Sequence, residues 1–447
     1  MGTGGIIAKL KNRHFMSLAG SGAMAVLAMA TVAILYRSLP VNEMGAWVFF
    51  QTVFVLLDTF RTGFLQVALI KFYTGTEEPR ASEVLGSVWY LALMITGILC
   101  LVNAAALPFL HLVTSPSFSI LIVWFGVTFL STLPVTIAGW ILQAHQRFDK
   151  LLVLRVVNQG SFLIFVVVLV FFHNLNLTTL LIINFTCNII VSTACILSGW
   201  TKMKSFSKRT KACIREIFHF GKYSVGTTIS TNLLKSSDSF IIMFVLGPAG
   251  PAALAMYNIP NRLMEVIEIP LRSFLATGMP SLSEAFNKNR KEEVADIMQK
   301  YAGMLTLALI PVSILSIVFA DLAIGILGGG KYLNTYAVSV FRIFMSFAWL
   351  YPVDRFLGVT LDIIHKPRIN FIKVLVMLAT NIVFDFIGIY LFGNINGVAL
   401  ATLFTFLSGT LFGYYWLRKY LPITMKGIFQ TGYFEIKKVI QNKLNKV

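Results

Sequence analysis

Between Thr227 and Pro280, two apolar stretches carry ionisable side chains at helical spacing. In the first, Thr228, Thr231, Asn232, Lys235 and Asp238 recur three or four residues apart and share one helix face. In the second, Asn258, Arg262, Glu265, Glu268 and Arg272 do the same. A charge at bilayer depth costs about 2.5–3.5 kcal/mol on insertion scales, so neither stripe belongs against lipid. The charges must face one another or a wet cavity. Two kinds of chemistry fit them. Guanidinium and ammonium groups bind phosphate or carboxylate, which makes Arg61, Lys235, Arg262 and Arg272 candidate substrate-binding residues. Intramembrane carboxylates suit a coupling cation or a proton, which makes Asp58, Asp238, Glu265, Glu268 and Asp385 candidate ion-coupling residues.

Each group has a plainer alternative. Asp58 with Arg61, and Lys235 with Asp238, stand three apart and can be self-neutralising pairs that only fix packing. Arg262–Glu265 and Glu268–Arg272 can cancel in the same way. Arg272 lies near a helix end, where it can snorkel to the interface. Asp385 follows Asn381 by four, which suits either a cation site or a hydrogen-bonded packing residue. Asp354 and Arg355 are adjacent and point apart on a helix, and Arg342 shares a stripe with neither.

The elements that must position these groups are membrane helices. Of 447 residues, 57% are hydrophobic and only 13% charged, against about 25% charged in soluble chains. The fold class is all-α: a polytopic membrane protein of about twelve transmembrane helices in two six-helix bundles related by pseudo-two-fold symmetry. About 20 residues cross ~30 Å of hydrocarbon. On that measure the spans fall near 15–36, 45–70, 85–107, 118–142, 152–172, 177–199, 222–246, 252–276, 299–320, 336–360, 370–392 and 397–417. Residues 1–199 form the first bundle, 200–221 a basic linker, 222–420 the second bundle and 421–447 a basic amphipathic tail. A shift of 207 residues sets Asp58 against Glu265 and Arg61 against Glu268, so the second span of each half is the charged one. The first apolar run has spanning length, so a cleaved leader is not expected.

The net charge of +18 is spread over alternating loops. With a cytoplasmic amino terminus, most of the 37 lysines and arginines lie inside, Lys366, Arg368 and Lys373 among them, and only Arg37 and Lys331 lie in outside loops. Both termini are then cytoplasmic. This dispersal, with no recognisable binding module, excludes nucleic acid as a partner. In the linker, Ile214, Ile217 and Phe218 form an amphipathic turn expected on the membrane surface. In the tail, Phe429, Tyr433, Ile436, Ile440 and Leu444 mark a helix expected to lie on anionic lipid or to dock a polysaccharide assembly protein.

No catalytic or metal signature is present. Gly325 to Lys331 has P-loop spacing, but Tyr332 stands where magnesium needs Ser or Thr. The six histidines and four cysteines lack metal-ligand spacing. No cofactor is expected beyond a coupling Na+ or H+. Gly409 and Gly413 form a small-xxx-small pair, and prolines recur inside the spans.

Several segments resemble bacterial polysaccharide flippases of the multidrug, oligosaccharidyl-lipid and polysaccharide exporter superfamily. They are Arg37-Ser-Leu-Pro40 with Asn42-Glu43-Met44-Gly45, Leu142-Gln-Ala-His-Gln-Arg-Phe148, Asp238-Ser-Phe-Ile-Ile, Ala255-Met-Tyr257-Asn-Ile-Pro260 and Met279-Pro280-Ser-Leu282-Ser283. The likeness runs over about residues 10–420 and is to the O-antigen-type branch, whose members move undecaprenyl-diphosphate-linked oligosaccharides to the outer leaflet of the bacterial cytoplasmic membrane. The resemblance implies two bundles in a V, ion-gradient coupling and a charged cavity, onto which Asp58, Arg61, Lys235, Asp238, Arg262, Glu265 and Glu268 map. The lipid II branch has fourteen spans where twelve are expected here, which speaks against lipid II as cargo. A multidrug exporter calls for a cavity dominated by acids, and a polysaccharide polymerase or ligase for long outside loops; the sequence offers neither.

Overall fold

The computed structural model describes residues 13–444, and every regular element among them is helical. The chain forms two compact units, one ending at Asn232 and the other starting at Leu233, within a single continuous helix.

The first unit contains α1 (Arg13–Ser38), α2 (Val41–Tyr73), α3 (Arg80–Ala106), α4 (Pro116–Ser131), α5 (Leu133–Ala144), α6 (Phe148–Phe171), α7 (Leu177–Leu197) and the start of α8 (Lys211–Val245). The α4–α5 pair is one apolar run bent by 41°. Pro134 lacks the N–H that would continue the ladder, and its ring crowds the preceding turn. α7 starts at a reciprocal cap, in which Asn176 Oδ1 accepts from the Thr179 amide at 2.9 Å and Thr179 Oγ1 accepts from the Asn176 amide at 3.0 Å. Leu65, Leu69, Val88, Trp89, Ile137 and Trp140 knit α2, α3 and α5 into one core.

The linker packs on this core. Trp89 Nε1 donates to the Thr201 carbonyl at 2.9 Å. A side chain at Gly86 would stand 2.9 Å from the Arg209 amide nitrogen, so only glycine admits the linker backbone to α3. This changes the reading of the amphipathic turn. Ile217, with Cys213, is fully buried in the core, as part of the first turns of α8. Only Phe218 remains half exposed. The close linker approach carries that face inward rather than onto a membrane surface.

The second unit holds the rest of α8, then α9 (Gly250–Asn287), α10 (Lys291–Val318), α11 (Ala320–Gly328), α12 (Tyr336–Phe347), α13 (Tyr351–Ile363), α14 (Pro367–Phe392), α15 (Ile395–Leu417) and α16 (Met425–Leu444). α14 ends at Gly393 in the left-handed conformation, φ 65°. A tight hairpin with α15 follows, in which Gly388 and Gly397 touch backbone to backbone. The tail helix α16 docks on α10 by the same device. A Cβ on Gly303 would stand 3.0 Å from the Gly432 Cα, Ile428 is fully buried, and Lys300 pairs with Glu435 at 2.9 Å. The docking face of the tail is thus Ile428 and Gly432, while Phe429 and Tyr433 are exposed. The side chains of Ile440 and Leu444 lie outside those described.

Among the described residues, eight helical segments are long and apolar enough to cross a membrane, nine with the bent α4–α5 pair counted as one. The chain is therefore an all-helical, multi-pass membrane protein. Its four cysteines are free thiols, three of them buried.

Replacing Gly388 with Val puts side-chain atoms into the α15 backbone, because a Cβ there falls 2.9 Å from the Gly397 Cα. The expected loss is about 1–3 kcal/mol, seen as a lower thermal midpoint in detergent. Gly160→Ala, where a Cβ meets nothing within 4 Å, is expected to leave the midpoint unchanged; equal effects at both positions would refute the packing account.

Candidate functional site

In the first unit the charged pair sits at the α4–α5 bend. Arg61 is 0% exposed, the largest buried charged side chain there. Its Nε donates to Asp58 Oδ1 at 2.9 Å, and Nη2 reaches Asp58 Oδ1 at 2.5 Å and Thr132 Oγ1 at 3.1 Å. Nη1 spans Thr96 Oγ1 at 3.5 Å and the Phe129 carbonyl at 3.3 Å, and the guanidinium lies 4.3 Å from the centre of the Phe129 ring. All five N–H groups are engaged, so Arg61 has no donor left for a diphosphate. Ser192 secures the other side of the bend, donating to the Ser131 carbonyl at 2.7 Å and accepting from the Val135 amide at 3.3 Å. Beside the bend is a cavity of about 230 Å³ lined by Gln51, Asp58, Asn158, Asn184 and Asn188 among others.

In the second unit the carboxylate of Glu268 gathers cations. Arg272 Nη2 donates to Glu268 Oε2 at 2.8 Å, and Arg355 Nη2 stands 3.7 Å from Oε1. Lys235 on α8 lies within electrostatic range of the same carboxylate and of both arginines. Three cations thus surround one anion, leaving two positive charges in excess. The arc is open: the Arg272 side chain is 69% exposed, that of Arg355 37%, and that of Glu268 19%. One turn back along α9, Arg262 pairs with Glu265 at 3.0 Å and that pair cancels. Lys235 and Asp238, three apart in sequence, go to different groups.

Asp238 belongs to a second cluster of the same unit. Tyr257 Oη donates to Asp238 Oδ2 and lies 3.2 Å from Thr402 Oγ1. Asp385 is fully buried and in hydrogen-bonding range of Asp238. Asn381 flanks Asp238 and accepts from Ser237 Oγ at 2.5 Å. Asp238 Oδ1 and both oxygens of Asp385 receive no donor among the described residues. Two facing carboxyl groups with three of their four oxygens lacking a donor call for a proton or a cation between them. The surrounding groups are hydroxyl, phenol and amide oxygens, which suit a hard monovalent ion. Among the described residues no three His, Cys, Asp or Glu side chains form a metal-binding group.

Spacing alone did not reveal several partners. Arg355 turns to Glu268, whereas its neighbour Asp354 turns the other way to Lys373, at 2.5 Å. Lys373, grouped above with the loop cations, is in fact buried in α14 at 3% exposure. Gly409 and Gly413 make room for that pair, since a Cβ at Gly409 would stand 2.8 Å from Asp354 Oδ1. Tyr257 stood in the Ala255–Pro260 segment of the resemblance without a role as a partner of Asp238, and Thr402 carried no mark beyond being a hydroxyl in an apolar helix. Arg342 pairs at 2.7 Å with Asp321, an exposed pair away from these clusters.

The family model described as polysaccharide biosynthesis protein matches residues 10–286, and the MatE model matches residues 228–387. Comparison with curated proteins finds no match. Among solved structures, the lipid II flippase MurJ in an inward closed conformation is similar, with 14% identity, 96% of this chain and 92% of that chain covered, and a TM-score of 0.74. An inward-facing multidrug resistance MATE transporter of the MOP superfamily shares 13% identity over 89% of this chain and 94% of that one, also with a TM-score of 0.74. A MOP superfamily transporter from Pyrococcus furiosus, described as having a binding pocket of reversed polarity, gives 14% identity, 90% and 93% coverage and a TM-score of 0.59. At these identities the likeness establishes the fold.

Arg61→Ala would leave the Asp58 carboxylate without its counter-charge, with only Thr62 Oγ1 still donating to it, and the Phe129 carbonyl with Thr132 Oγ1 alone. A loss of about 3 kcal/mol is expected, the low end for a broken buried pair because Asp58 keeps some exposure. Thermal unfolding in detergent and the amount of protein in membranes measure it. A variant that melts like the parent and loses transport alone would assign Arg61 to the cargo instead.

Proposed function

Because the chain belongs to the polysaccharide biosynthesis protein family, we propose that it is a flippase moving a polyprenyl-diphosphate-linked oligosaccharide from the cytoplasmic to the outer leaflet by alternating access. The observation that carries this reading is the open cationic arc of Lys235, Arg272 and Arg355 about Glu268. A diphosphate diester carries two negative charges, which match the two excess positive charges of the arc. An anion leaving water needs several donors at once, and guanidinium groups supply them in pairs. Arg262 lies nearly two turns back along α9 from Glu268, paired with Glu265, and is the next cation available to the cargo.

The buried Asp238–Asp385 pair is assigned to coupling. A Na+ ion or a proton neutralises it, so its occupancy follows the ion gradient. Glu265 and Glu268 instead balance the arc, and Asp58 holds Arg61. Twelve spans are reached by adding α1, α8 and α9 to the nine apolar ones. α8 and α9 fail on composition alone because their polar faces carry the two stripes. The proposed arrangement is two six-helix bundles in a bacterial cytoplasmic membrane with both termini inside, a reading supported by the distribution of Lys and Arg.

The MatE match favours a second reading, export of cationic drugs. The arc weighs against it, because its excess charge repels a cation.

Reconstituted vesicles holding a labelled polyprenyl-diphosphate oligosaccharide test the assignment. Lys235→Ala and Arg355→Ala are each expected to weaken apparent affinity for the lipid about 10- to 100-fold without lowering protein levels. Asp385→Asn is expected to keep lipid binding and to lose about tenfold or more of the rate gained from an imposed Na+ or H+ gradient. Parent-like transport in all three variants would end this reading.

A further inference from the structure

We propose that the cavity beside the α4–α5 bend is a binding subsite for an uncharged sugar ring. The inference rests on the reading of the chain as a carrier of a lipid-linked glycan, and it assigns the glycan a place apart from the cationic arc. The cavity lies near the middle of α2, α6 and α7, with about 230 Å³ of space. Drug-sized ligands occupy pockets of about 300–1,000 Å³, so this space suits one ring better than a drug.

Its lining has unused hydrogen-bonding capacity. The side-chain amides of Gln51 and Asn158 have no partner among the described residues. Asn188 Nδ2 donates to the Asn184 carbonyl at 2.7 Å and more weakly to Asn184 Oδ1 at 3.4 Å. That leaves Asn184 Nδ2 and Asn188 Oδ1 unengaged. Thr128 is 1% exposed, and its Oγ1 has no hydrogen-bond partner. A buried hydroxyl left unpaired is costly, and a polar ligand in the cavity would relieve that cost.

Charge decides what that is. Asp58 and Arg61 cancel, and both are committed: Asp58 accepts from Arg61 and from Thr62 Oγ1 at 2.8 Å, and Arg61 has spent its donors. An anion finds no free cationic donor here and a cation finds no free carboxylate. A carboxamide carries a donor and an acceptor side by side, the pattern that pairs with neighbouring hydroxyls of a pyranose. Phe54 completes the lining with an aromatic ring against which the C–H face of a sugar can pack.

The test is saturation-transfer NMR on the purified full-length protein, in a detergent without a sugar headgroup. The probes are the methyl glycosides of glucose, galactose, mannose and N-acetylglucosamine, with inorganic pyrophosphate and tetraphenylphosphonium as charged controls. At least one glycoside is expected to bind, and Asn158→Leu and Thr128→Val are each expected to weaken it about tenfold. Asn158→Gln is expected to recover part of the loss. Thr128→Val is nearly isosteric, so it keeps the test valid if Asn158→Leu fails to fold. The proposal is overturned if no glycoside binds up to its solubility limit, if binding survives both variants unchanged, or if the cavity binds the phosphonium instead. Translocation of the labelled lipid without glycoside binding would remove this subsite and leave the flippase reading. Glycoside binding without translocation would do the reverse.

Discussion

One guanidinium holds the first half of the protein in its bent form. Pro134 interrupts the helical ladder where water cannot replace the lost hydrogen bonds, and the freed carbonyls must find donors inside the protein. The Val135 amide turns from the Ser131 carbonyl to Ser192 Oγ on α7, which donates to that carbonyl in return, and Arg61 from α2 joins the Thr132 hydroxyl at the Phe129 carbonyl. A cation brought to such depth needs its own counter-charge, which Asp58 supplies one turn away. Thr128, Thr132 and Val135 of the bent run line the cavity. Bend, pair and cavity therefore share one set of residues.

The second half sorts the same charge types into two uses by their surroundings. Asp354 and Lys373 are buried on both sides, and the glycines at 358, 409 and 413 close over them. A dry pair of that kind exchanges one internal contact for another and adds little net stability, though losing one partner is costly. Glu268 holds Arg272 and Arg355 in a region left open, at long or half-exposed contacts that a competing anion can take over. Neither the residue types nor their distances along the chain separate these cases; the packing around them does.

That contrast also explains what could be read from the sequence. Helical identity, the membrane class and pairs within one helix follow from local periodicity, so Asp58–Arg61, Arg262–Glu265 and Glu268–Arg272 were accessible from spacing. Pairs between helices share no period. Arg355 meets Glu268 from α13, Lys373 meets Asp354 from α14 and Tyr257 meets Asp238 from α9, and none of these has a local signature. The linker turn differs from expectation for a related reason: its apolar face matches a membrane surface equally well, and Gly86, whose role appears only once another backbone lies against it, brings the linker onto the core. In the tail, Gly303 admits the Ile428–Gly432 face to α10, while Phe429 and Tyr433 stay exposed.

The two charged clusters of the second half share their helices. Lys235 and Asp238 are one turn apart on α8, one serving the arc and the other the carboxylate pair. On α9, Tyr257 binds Asp238, and Glu268 stands three turns further on. A helix transmits displacement and rotation along its axis because its ladder is stiff, and side chains one turn apart on it move together. On the flippase reading, filling the Asp238–Asp385 pair with a cation changes how closely α8 approaches α14, and that shift reaches Lys235 one turn away. On that reading, sharing one helix would give the arc and the carboxylate pair a direct route of coupling, with no chain of intermediates between.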